Sequence, residues 1–355
     1  MGMISDLPDH MLPEILSWLP AREVVATMLL SRRWKFLWKQ VSKFDYNFSQ
    51  NDGKDFSDFS FFVNRFLQLH EGQVFTSLKL SVSPYCNTRN VGAWIDLAVS
   101  RKVRGLEIDL TAARNPMITT LSKSLYTCGT LTCLKVKALV LDDIPEEYPI
   151  CLASLRYLYL SVSSQVSAHM FIGKLTAGAP LLKKSIVRGD NVYNNQFLDY
   201  MAEKNSLKSF TLCSSEWDPV TIGPYFGKLE HFCMCTCSPL WWDSLIAFLQ
   251  YSPKLRYLQL TKSCNLRRCF LWAEPITTSL PKCLSSTLQT LEWRDYTDTQ
   301  FDKDVISFLL KNVTCLTKVK VVPVFTTAGH IEKLRIRTYL SNLSRGSTAC
   351  QLIFP

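Results

Sequence analysis

Apolar residues recur along most of the chain in the pattern apolar-x-x-apolar-x-apolar, and Ser185 is the one polar residue at its template positions. Successive windows start 22 residues apart at the closest, between Leu207 and Leu229, and 33 at the widest, between Leu255 and Leu288. This spacing brackets the period of leucine-rich repeats, so we predict a solenoid that buries each repeat against its neighbours. The ten windows begin at Phe75, Val103, Leu131, Leu155, Leu182, Leu207, Leu229, Leu255, Leu288 and Leu316.

Helix-like stretches lie between the windows, for example at residues 91–101, 117–126 and 241–250. The predicted repeating unit is therefore a strand followed by a helix. Just beyond the strand, leucine-rich repeats usually carry Asn or Cys, whose side chain bonds the turn backbone. Small hydrogen-bonding residues occupy this ladder position in six repeats: Ser83, Thr111, Ser163, Ser215, Cys237 and Ser263.

The first 40 residues follow a different pattern, with apolar residues three and four positions apart. Leucine and isoleucine residues between positions 12 and 19 predict a helix that Pro20 ends, and two more short helices are predicted to follow. A unit this small buries only about 60% of its surface, so its remaining apolar side chains need a cover. That cover is either the following domain, which this segment would then cap, or a partner protein.

The residue identities decide between these two, because they resemble the plant F-box signature from residue 4 to residue 38. The resemblance implies docking on a Skp-type adaptor, and through it on the cullin scaffold of a ubiquitin ligase. It also implies that Trp34, Leu37 and Trp38 fix the segment to the domain that follows. The matching stretches are residues 4–9 (ISDLPD), 15–20 (ILSWLP), 22–25 (REVV) and 30–38 (LSRRWKFLW). The residues expected to face the adaptor are Leu7, Pro8, Leu12, Ile15, Leu19, Pro20, Val24 and Val25.

The last quarter of the chain resembles a second plant module, the FBD. The chain as a whole is thus similar to the plant F-box/FBD/leucine-rich-repeat proteins. That resemblance implies an α/β fold with an N-terminal three-helix F-box, an irregular leucine-rich-repeat solenoid (a horseshoe of parallel strands and helices) and a C-terminal FBD cap. The FBD-like stretches are residues 280–284 (LPKCL), 288–293 (LQTLEW), 308–312 (FLLKN) and 345–352 (RGSTACQL), with Trp272 and Pro275.

We predict four segments along the chain: the F-box over residues 1–48, a connecting segment over 49–73, the repeat solenoid over 74–270, and the FBD region with the last repeats and a C-terminal cap over 271–355.

Composition argues against several other classes of protein. The chain of 355 residues is 47% hydrophobic, yet it has no apolar run of about 18 residues that would span a bilayer, and it begins without the pattern of a secretory signal. Its 13 cysteines form no regular framework, so reduced thiols are expected. Phosphate-loop, nucleophile-elbow and zinc-protease motifs are missing. We therefore expect a non-catalytic protein without a cofactor, located in the cytoplasm, the nucleus or both.

One cysteine-rich strand raises the alternative of a metal site. His231, Cys233, Cys235 and Cys237 alternate, and alternating strand residues share a face. They would stand in a row about 6.6 Å apart, whereas tetrahedral ligands converge on one point. The pattern therefore favours ordinary surface residues over a metal site.

The residues between the apolar positions of each window are expected to line the concave surface, where repeat proteins bind partners. Basic side chains outnumber acidic ones there by eight to three, and the chain carries a formal charge of +10. An acidic or phosphorylated segment of a target protein is the natural complement, and a merely solvated surface is the alternative. The expected target-binding residues are Lys79, Lys135, Lys137, Tyr157, Tyr159, Lys184, Arg188, Tyr257, Arg294 and Lys318.

Together these features predict the substrate-recognition subunit of an SCF-type (Skp-cullin-F-box) ubiquitin ligase, which holds the adaptor by its F-box and an unknown target by the repeats. Two alternatives stay open. A ligand-gated F-box receptor for a small molecule would show long loops over a pocket. A nucleic-acid-binding solenoid would use the basic strand residues and bind with steep salt dependence.

Overall fold

The computed structural model describes residues 7–48, 56–72, 74–82, 88–111, 121–139, 148–162, 169–189, 198, 201–203, 206–213, 225–237, 241–262, 280–324 and 330–354. The chain divides into two compact units, which we call unit 1 (residues 1–166 and 174–182) and unit 2 (residues 167–173 and 183–355). Each unit is built from parallel strands whose order in space follows their order in the sequence.

The described residues of unit 1 begin with short helices and continue as five parallel strands. Its first part contains α1 (Leu12–Leu16), α2 (Ala21–Ala26) and two 3-10 segments, Thr27–Leu29 and Trp34–Gln40. The second part contains β1 (Lys43–Asn47), α3 (Phe56–Leu69), β2 (Ser77–Ser81), α4 (Thr88–Ser100), β3 (Gly105–Asp109), a 3-10 segment (Lys123–Thr127), β4 (Cys133–Leu139) and β5 (Tyr157–Val162).

In unit 2 the part of the chain that the structure describes forms seven further strands, each parallel to its neighbour. The helix before them, α5 (His169–Ala177), has residues in both units. Among the described residues, no helix is both long enough and apolar enough to cross a bilayer. The elements are β6 (Lys184–Arg188), β7 (Ser209–Cys213), β8 (His231–Cys235), α6 (Trp241–Gln250), β9 (Tyr257–Thr261), α7 (Lys282–Ser286), β10 (Thr290–Tyr296), α8 (Gln300–Asn312), β11 (Lys318–Pro323), α9 (His330–Asn342) and β12 (Gln351–Ile353).

The predicted repeat register is the one that the structure adopts. All ten window starts, from Phe75 to Leu316, are buried, and a strand begins two residues after each of them. Along strands such as β2 and β3, buried residues alternate with half-buried ones, because neighbouring side chains of a strand point to opposite faces. The predicted α/β repeat fold is therefore confirmed.

Two strands extend the ladder beyond the ten predicted windows. Val41, Phe44 and Tyr46 obey the same template and are buried in and before β1, which pairs with β2. At the other end, β12 pairs with β11. The first of these windows was missed because residues up to 48 were assigned to the helical segment alone.

The ladder positions Ser83, Ser163, Ser215 and Ser263 lie outside the described residues, as do residues 4–6 of the F-box-like motif and Trp272 and Pro275 of the FBD-like one. At the two described ladder positions, Thr111 bonds the Asp109 carboxylate two residues before it, and Cys237 is buried.

Aromatic packing joins the N-terminal helices of unit 1 to its first repeats. The Trp38 ring lies 5.3 Å from the Phe66 ring of α3, which lies 4.4 Å from Phe44 of β1. Tyr46 of β1 meets Phe59 at 5.1 Å. The buried residues of α3 recur at helical spacing, so one face of this helix covers the strand ladder. The helical segment is thereby fixed to the solenoid, as the resemblance implied for Trp38.

The FBD-like stretches of unit 2 form ordinary members of the same ladder. β10 pairs with β9 on one side and with β11 on the other. Between β10 and β11, α8 begins with a capping box in which Thr299 and Asp302 bond each other's backbone N–H, which satisfies donors at the helix start. β10, β11 and β12 of this region thus continue the parallel ladder.

Ser185 is the one polar residue at the window positions, and its side chain is fully buried in β6, in register with Phe210. Its hydroxyl has no hydrogen-bond partner among the described residues. Burial of an unbonded hydroxyl costs about 1–3 kcal/mol. We therefore expect Ser185→Ala to raise the free energy of unfolding by about 1 kcal/mol, measured by urea denaturation.

Ser252 provides the matched control, because it is equally buried but its hydroxyl donates to the Phe248 carbonyl at 2.9 Å. Ser252→Ala should lower the free energy of unfolding. Equal destabilisation by the two alanine variants would show that the Ser185 hydroxyl is satisfied.

Candidate functional site

The helical segment of unit 1 (residues 7–40) exposes large apolar side chains. Trp18, Leu29 and Leu30 are 80%, 82% and 68% exposed. Isolated exposed apolar residues are ordinary, but several within one short segment are typical of a protein-binding surface. The exposed apolar side chains of this segment are Met11, Ile15, Trp18, Met28, Leu29, Leu30 and Phe36.

The eight residues predicted to face an adaptor fall into two groups in the structure. Leu12 and Val24 are buried within unit 1 itself, where they belong to its core. The other six retain exposure: Pro8, Ile15 and Pro20 are exposed, and Leu7, Leu19 and Val25 are half-buried. Sequence reasoning missed the exposed Trp18, Leu29, Leu30 and Phe36, although three of them lie within the stretches that carry the resemblance and Leu29 directly precedes the last stretch.

The start of this surface is held in place by Arg33. Its Nε lies 2.6 Å from the Asp9 carboxylate, and its terminal nitrogen donates to the Leu7 carbonyl. A planar guanidinium that bonds two groups fixes direction as well as distance. Leu7 and Pro8 are therefore presented on a segment that is anchored by its backbone and by Asp9, and their side chains take no part in the anchor.

Across the strands of unit 1, the outward side chains form a row of alternating charge. Asp45, Lys79, Glu107 and Lys135 are in register on β1 to β4. Lys79 lies 3.2 Å from Asp45, and Lys135 lies 3.2 Å from Glu107. Each lysine is thus paired with the carboxylate one strand before it. This row carries no net charge, so the positive stripe predicted from the residue count is not present here.

A second pair stands two residues further along the same strands. Lys137 donates to Asp109 at 2.7 Å. Burial tends to raise the pKa of Asp109, but hydrogen bonds from Lys137 and Thr111 outweigh it and hold that pKa below its usual range. The same bond raises the pKa of Lys137. Both groups are therefore charged at neutral pH.

The predicted tyrosines of unit 1 lie beside these lysines on β5. Tyr157 and Tyr159 are in register with Cys133 and Lys135, and the Lys135 ammonium lies 5.7 Å from the centre of the Tyr157 ring. Both tyrosines are half-buried. Aromatic side chains in this state can contribute contact area to a protein partner at low entropic cost.

In unit 2 two of the predicted residues share one buried carboxylate. Glu292 of β10 accepts hydrogen bonds from the Tyr257 hydroxyl, from Arg294 at 2.9 Å and from Lys320, whose ammonium lies 3.1 Å away. Burial alone would raise the pKa of Glu292, but these three donors outweigh burial and hold that pKa below its usual range. Lys184, Arg188 and Lys318 also occupy outward strand positions in unit 2.

The cysteine-rich strand does not place its four predicted residues together. His231 is exposed and Cys233 is half-buried, whereas Cys235 and Cys237 are buried beside Cys213 of the preceding repeat. Cys213 escaped the sequence reasoning because it is separated from Cys235 by a whole repeat. Its place at the end of β7, matching that of Cys235 at the end of β8, was the available signal.

A cavity of about 250 Å³ opens at the carboxyl ends of β8, β9 and β10. Its lining combines Trp241, Trp293 and Phe301 with Lys262 and Asp302. Small-molecule sites usually measure about 300–1,000 Å³, and both indoles here are almost fully buried. Asp302 is already committed to the capping of α8. The cavity therefore gives little support to a small-molecule receptor.

Comparison with known proteins shows which families this chain resembles. A family model described as an F-box domain matches residues 4–46, and one described as FBD matches residues 276–321. An Arabidopsis thaliana protein named as an F-box/FBD/LRR-repeat protein is 31% identical over an alignment of 424 positions, which covers 99% of this chain and 98% of that protein. A second of the same name is 30% identical, with both chains fully covered. An FBD-associated F-box protein of the same plant is also 30% identical over its full length.

Proposed function

The chain belongs to the F-box/FBD/LRR-repeat proteins, and on that basis we propose that it is the substrate-recognition subunit of an SCF-type (Skp-cullin-F-box) ubiquitin ligase. The F-box indicates binding to a Skp-type adaptor, which would connect the chain to a cullin scaffold. The repeats would hold a target protein, and the gain in ubiquitin transfer would be proximity. Such a complex would act in the cytoplasm, the nucleus or both.

The observation that carries this proposal is the set of exposed apolar side chains on the F-box helices, led by Trp18, Leu29 and Leu30. Exposure of such an apolar surface to water is unfavourable. Its burial against an adaptor would stabilise the complex by about 25 cal/mol for each Å² removed from water. The anchored Leu7 and Pro8 would complete the contact. F-box proteins are in general non-catalytic adaptors, and we propose no covalent chemistry for this chain.

For the target we propose a phosphorylated segment that binds the strand face of unit 1. The support is that Lys135 pairs with Glu107 and Lys137 with Asp109. Any anionic ligand of these lysines must compete with the two carboxylates, which favours a ligand that carries more charge than a carboxylate. Both lysine side chains are 36% exposed, so a ligand can reach them from solvent. A phosphate carries about −1.5 to −2 charge, so it attracts a lysine more strongly than a single carboxylate does. Tyr157 and Tyr159 would supply aromatic contact beside it.

The two alternatives are less well supported. Nucleic-acid binding draws its affinity from unneutralised lysines and arginines, whereas three lysines of the unit 1 strand face pair with Asp45, Glu107 and Asp109. The cavity beside Trp241 and Trp293 is smaller than usual for a small-molecule site, and both indoles that line it are almost fully buried.

Target capture tests the function directly. The wild-type chain and a Leu7→Ala/Pro8→Ala variant are each purified from plant cells with the proteasome blocked. The target should be enriched on the variant, because without the adaptor it is bound but not ubiquitinated. Recovery of the same proteins, in equal amounts and without ubiquitin, on both forms would contradict a role in substrate delivery.

Charge reversal tests the target surface. Lys135→Glu with Lys137→Glu should weaken binding of the captured target by about tenfold or more, measured by titration, because it places four carboxylates where a phosphate must bind. Adaptor binding should be unchanged. Lys135→Gln with Lys137→Gln should have a smaller effect in the same direction, and it avoids new repulsion within the fold.

Arg65→Glu with Lys102→Glu is the control of matched charge. Arg65 lies exposed on α3, and Lys102 lies exposed in the turn after α4. Equal loss of target from this variant and from the strand-face variant would mean that overall charge, and not the strand face, governs binding. Unchanged affinity after phosphatase treatment of the target would remove the phosphate from the proposal.

A further inference from the structure

Three cysteines of unit 2 converge in its interior. The sulfur atoms of Cys213, Cys235 and Cys237 all lie within 4.8 Å of one another, and each residue is buried. None of the three forms a disulfide. Three soft, ionisable ligands at this separation in a closed environment are a potential metal-binding group.

The topology of consecutive repeats explains the convergence. Cys213 is the last residue of β7 and Cys235 the last residue of β8, and the two strands are parallel and in register up to Leu212 and Met234. Cys237 follows two residues later, in the turn where the chain leaves the sheet. Two thiols therefore come from neighbouring strands and the third from the turn between them and the next helix. This arrangement differs from the straight row that the sequence predicted for residues 231–237.

We propose that Cys213, Cys235 and Cys237 form a three-thiolate site for a soft monovalent cation, namely Cu(I). Thiolates select copper(I), zinc and iron–sulfur centres. Structural zinc takes four protein ligands, and no fourth His, Cys, Asp or Glu joins this group among the described residues. A metal about 2.3 Å from each of three sulfurs in a plane holds them about 4.0 Å apart. The side chains need to contract by less than about 1 Å to reach that geometry.

Arg188 supplies positive charge at the edge of the site. It ends β6 and is in register with Cys213 on β7. Thiols must lose their protons to bind a metal, and those protons pass to solvent on binding. Three thiolates carry more negative charge than one Cu(I) ion neutralises. A neighbouring guanidinium stabilises the negative charge that remains.

The competing explanation is that Cys237 merely fills the ladder position of its repeat and that Cys213 and Cys235 pack beside it. Copper titration separates the two. The reduced, metal-free full-length chain is titrated anaerobically with Cu(I) against a chromogenic Cu(I) chelator. We expect one tightly held copper per chain, with near-ultraviolet absorption from sulfur-to-copper charge transfer. Binding to the folded state should also raise the melting temperature.

Substitutions locate the copper. Cys213→Ser and Cys237→Ser should each lower the affinity by more than about tenfold, since loss of even an outer partner of a metal site costs that much. Cys233→Ser is the matched control, on the same strand as Cys235 but outside the group, and should leave the affinity unchanged. Alanine variants replace the serine ones if circular dichroism shows that the latter misfold. Arg188→Gln should shift half-maximal copper binding to higher pH, because the thiolates lose a favourable charge.

Several results would overturn the site. One is the distribution of copper with similar affinity over several of the 13 cysteines. Another is an equal loss of affinity in Cys233→Ser and Cys213→Ser. Wild-type affinity in both Cys213→Ser and Cys237→Ser would have the same meaning. A parallel titration with Zn²⁺ checks the choice of cation, because tighter binding of zinc at one per chain would replace copper(I) by a four-coordinate ion.

Discussion

Replacement of Leu7 and Pro8 together by alanine is expected to weaken binding of the Skp-type adaptor by about a hundredfold or more. Truncation of one central apolar residue in a protein interface can cost about 2 kcal/mol or more. The fold should survive, because Arg33 holds this segment by the Leu7 carbonyl and by Asp9, neither of which the substitutions remove. Binding is measured by titration of purified adaptor, and folding by the melting temperature.

Phe61→Ala is the control for this variant. Phe61 is a large, exposed apolar side chain of unit 1, but it lies on α3, outside the matched F-box residues. Its truncation should leave adaptor affinity unchanged. Full adaptor binding by Leu7→Ala/Pro8→Ala would contradict the proposed role of the segment, and so would an equal loss in Phe61→Ala.

The helical segment shows where a motif is informative and where it is not. The F-box signature located the segment and its attachment through Trp38. It did not distinguish side chains that build the segment from side chains that it exposes. Leu12 and Leu16 both face the core, whereas Ile15, between them, retains exposure, because adjacent positions of a helix point in different directions. For Leu12 and Val24 to contact the adaptor, the helices that bury them would have to rearrange. Otherwise these two residues contribute to binding only by shaping the exposed surface of the segment.

The repeat register could be predicted because it depends on local periodicity. A buried residue at each window start and the alternation after it follow from the requirement that one strand face be apolar. The window at Val41, Phe44 and Tyr46 obeyed the same rule and was hidden only by its overlap with the helical segment. The helices were predicted less accurately than the strands. The helix-like stretch at residues 117–126, for example, overlaps a 3-10 segment at Lys123–Thr127 in its described part.

The pairing of charges on the strand face could not be predicted in the same way. A residue count adds up side chains, whereas the field at the surface depends on which of them meet across strands. Asp45 was absent from the count because β1 was not recognised, and it neutralises Lys79. Glu292 contributes a single negative charge but contacts both Arg294 and Lys320. The convergence of Cys213 with Cys235 and Cys237 likewise depends on which side chains meet across neighbouring strands, and Cys213 lies a whole repeat before Cys235.

The largest effect on stability is expected from Trp293→Ala in the FBD region. Trp293 is 1% exposed on β10, and its ring meets those of Trp241 and Tyr296 at 6.1 and 5.3 Å in edge-to-face geometry. Truncation leaves a cavity and removes these ring contacts, at a cost of about 3–5 kcal/mol. Unit 2 should therefore unfold at lower urea concentration, followed by circular dichroism. Because repeat proteins are stabilised chiefly by contacts between neighbouring repeats, adaptor binding by the F-box should persist.

Trp18→Ala is the same substitution at an exposed position, and it isolates burial as the cause. Trp18 is 80% exposed, and the Lys43 ammonium lies 3.8 Å from the centre of its ring. An exposed cation–π pair contributes about 0.5–1 kcal/mol, so this variant should lose less than about 1 kcal/mol of stability. It should weaken adaptor binding instead, the reverse of the result expected for Trp293→Ala. A stability loss of similar size in both variants, or loss of the adaptor in both, would mean that the FBD region does not form an independent set of repeats built around Trp293.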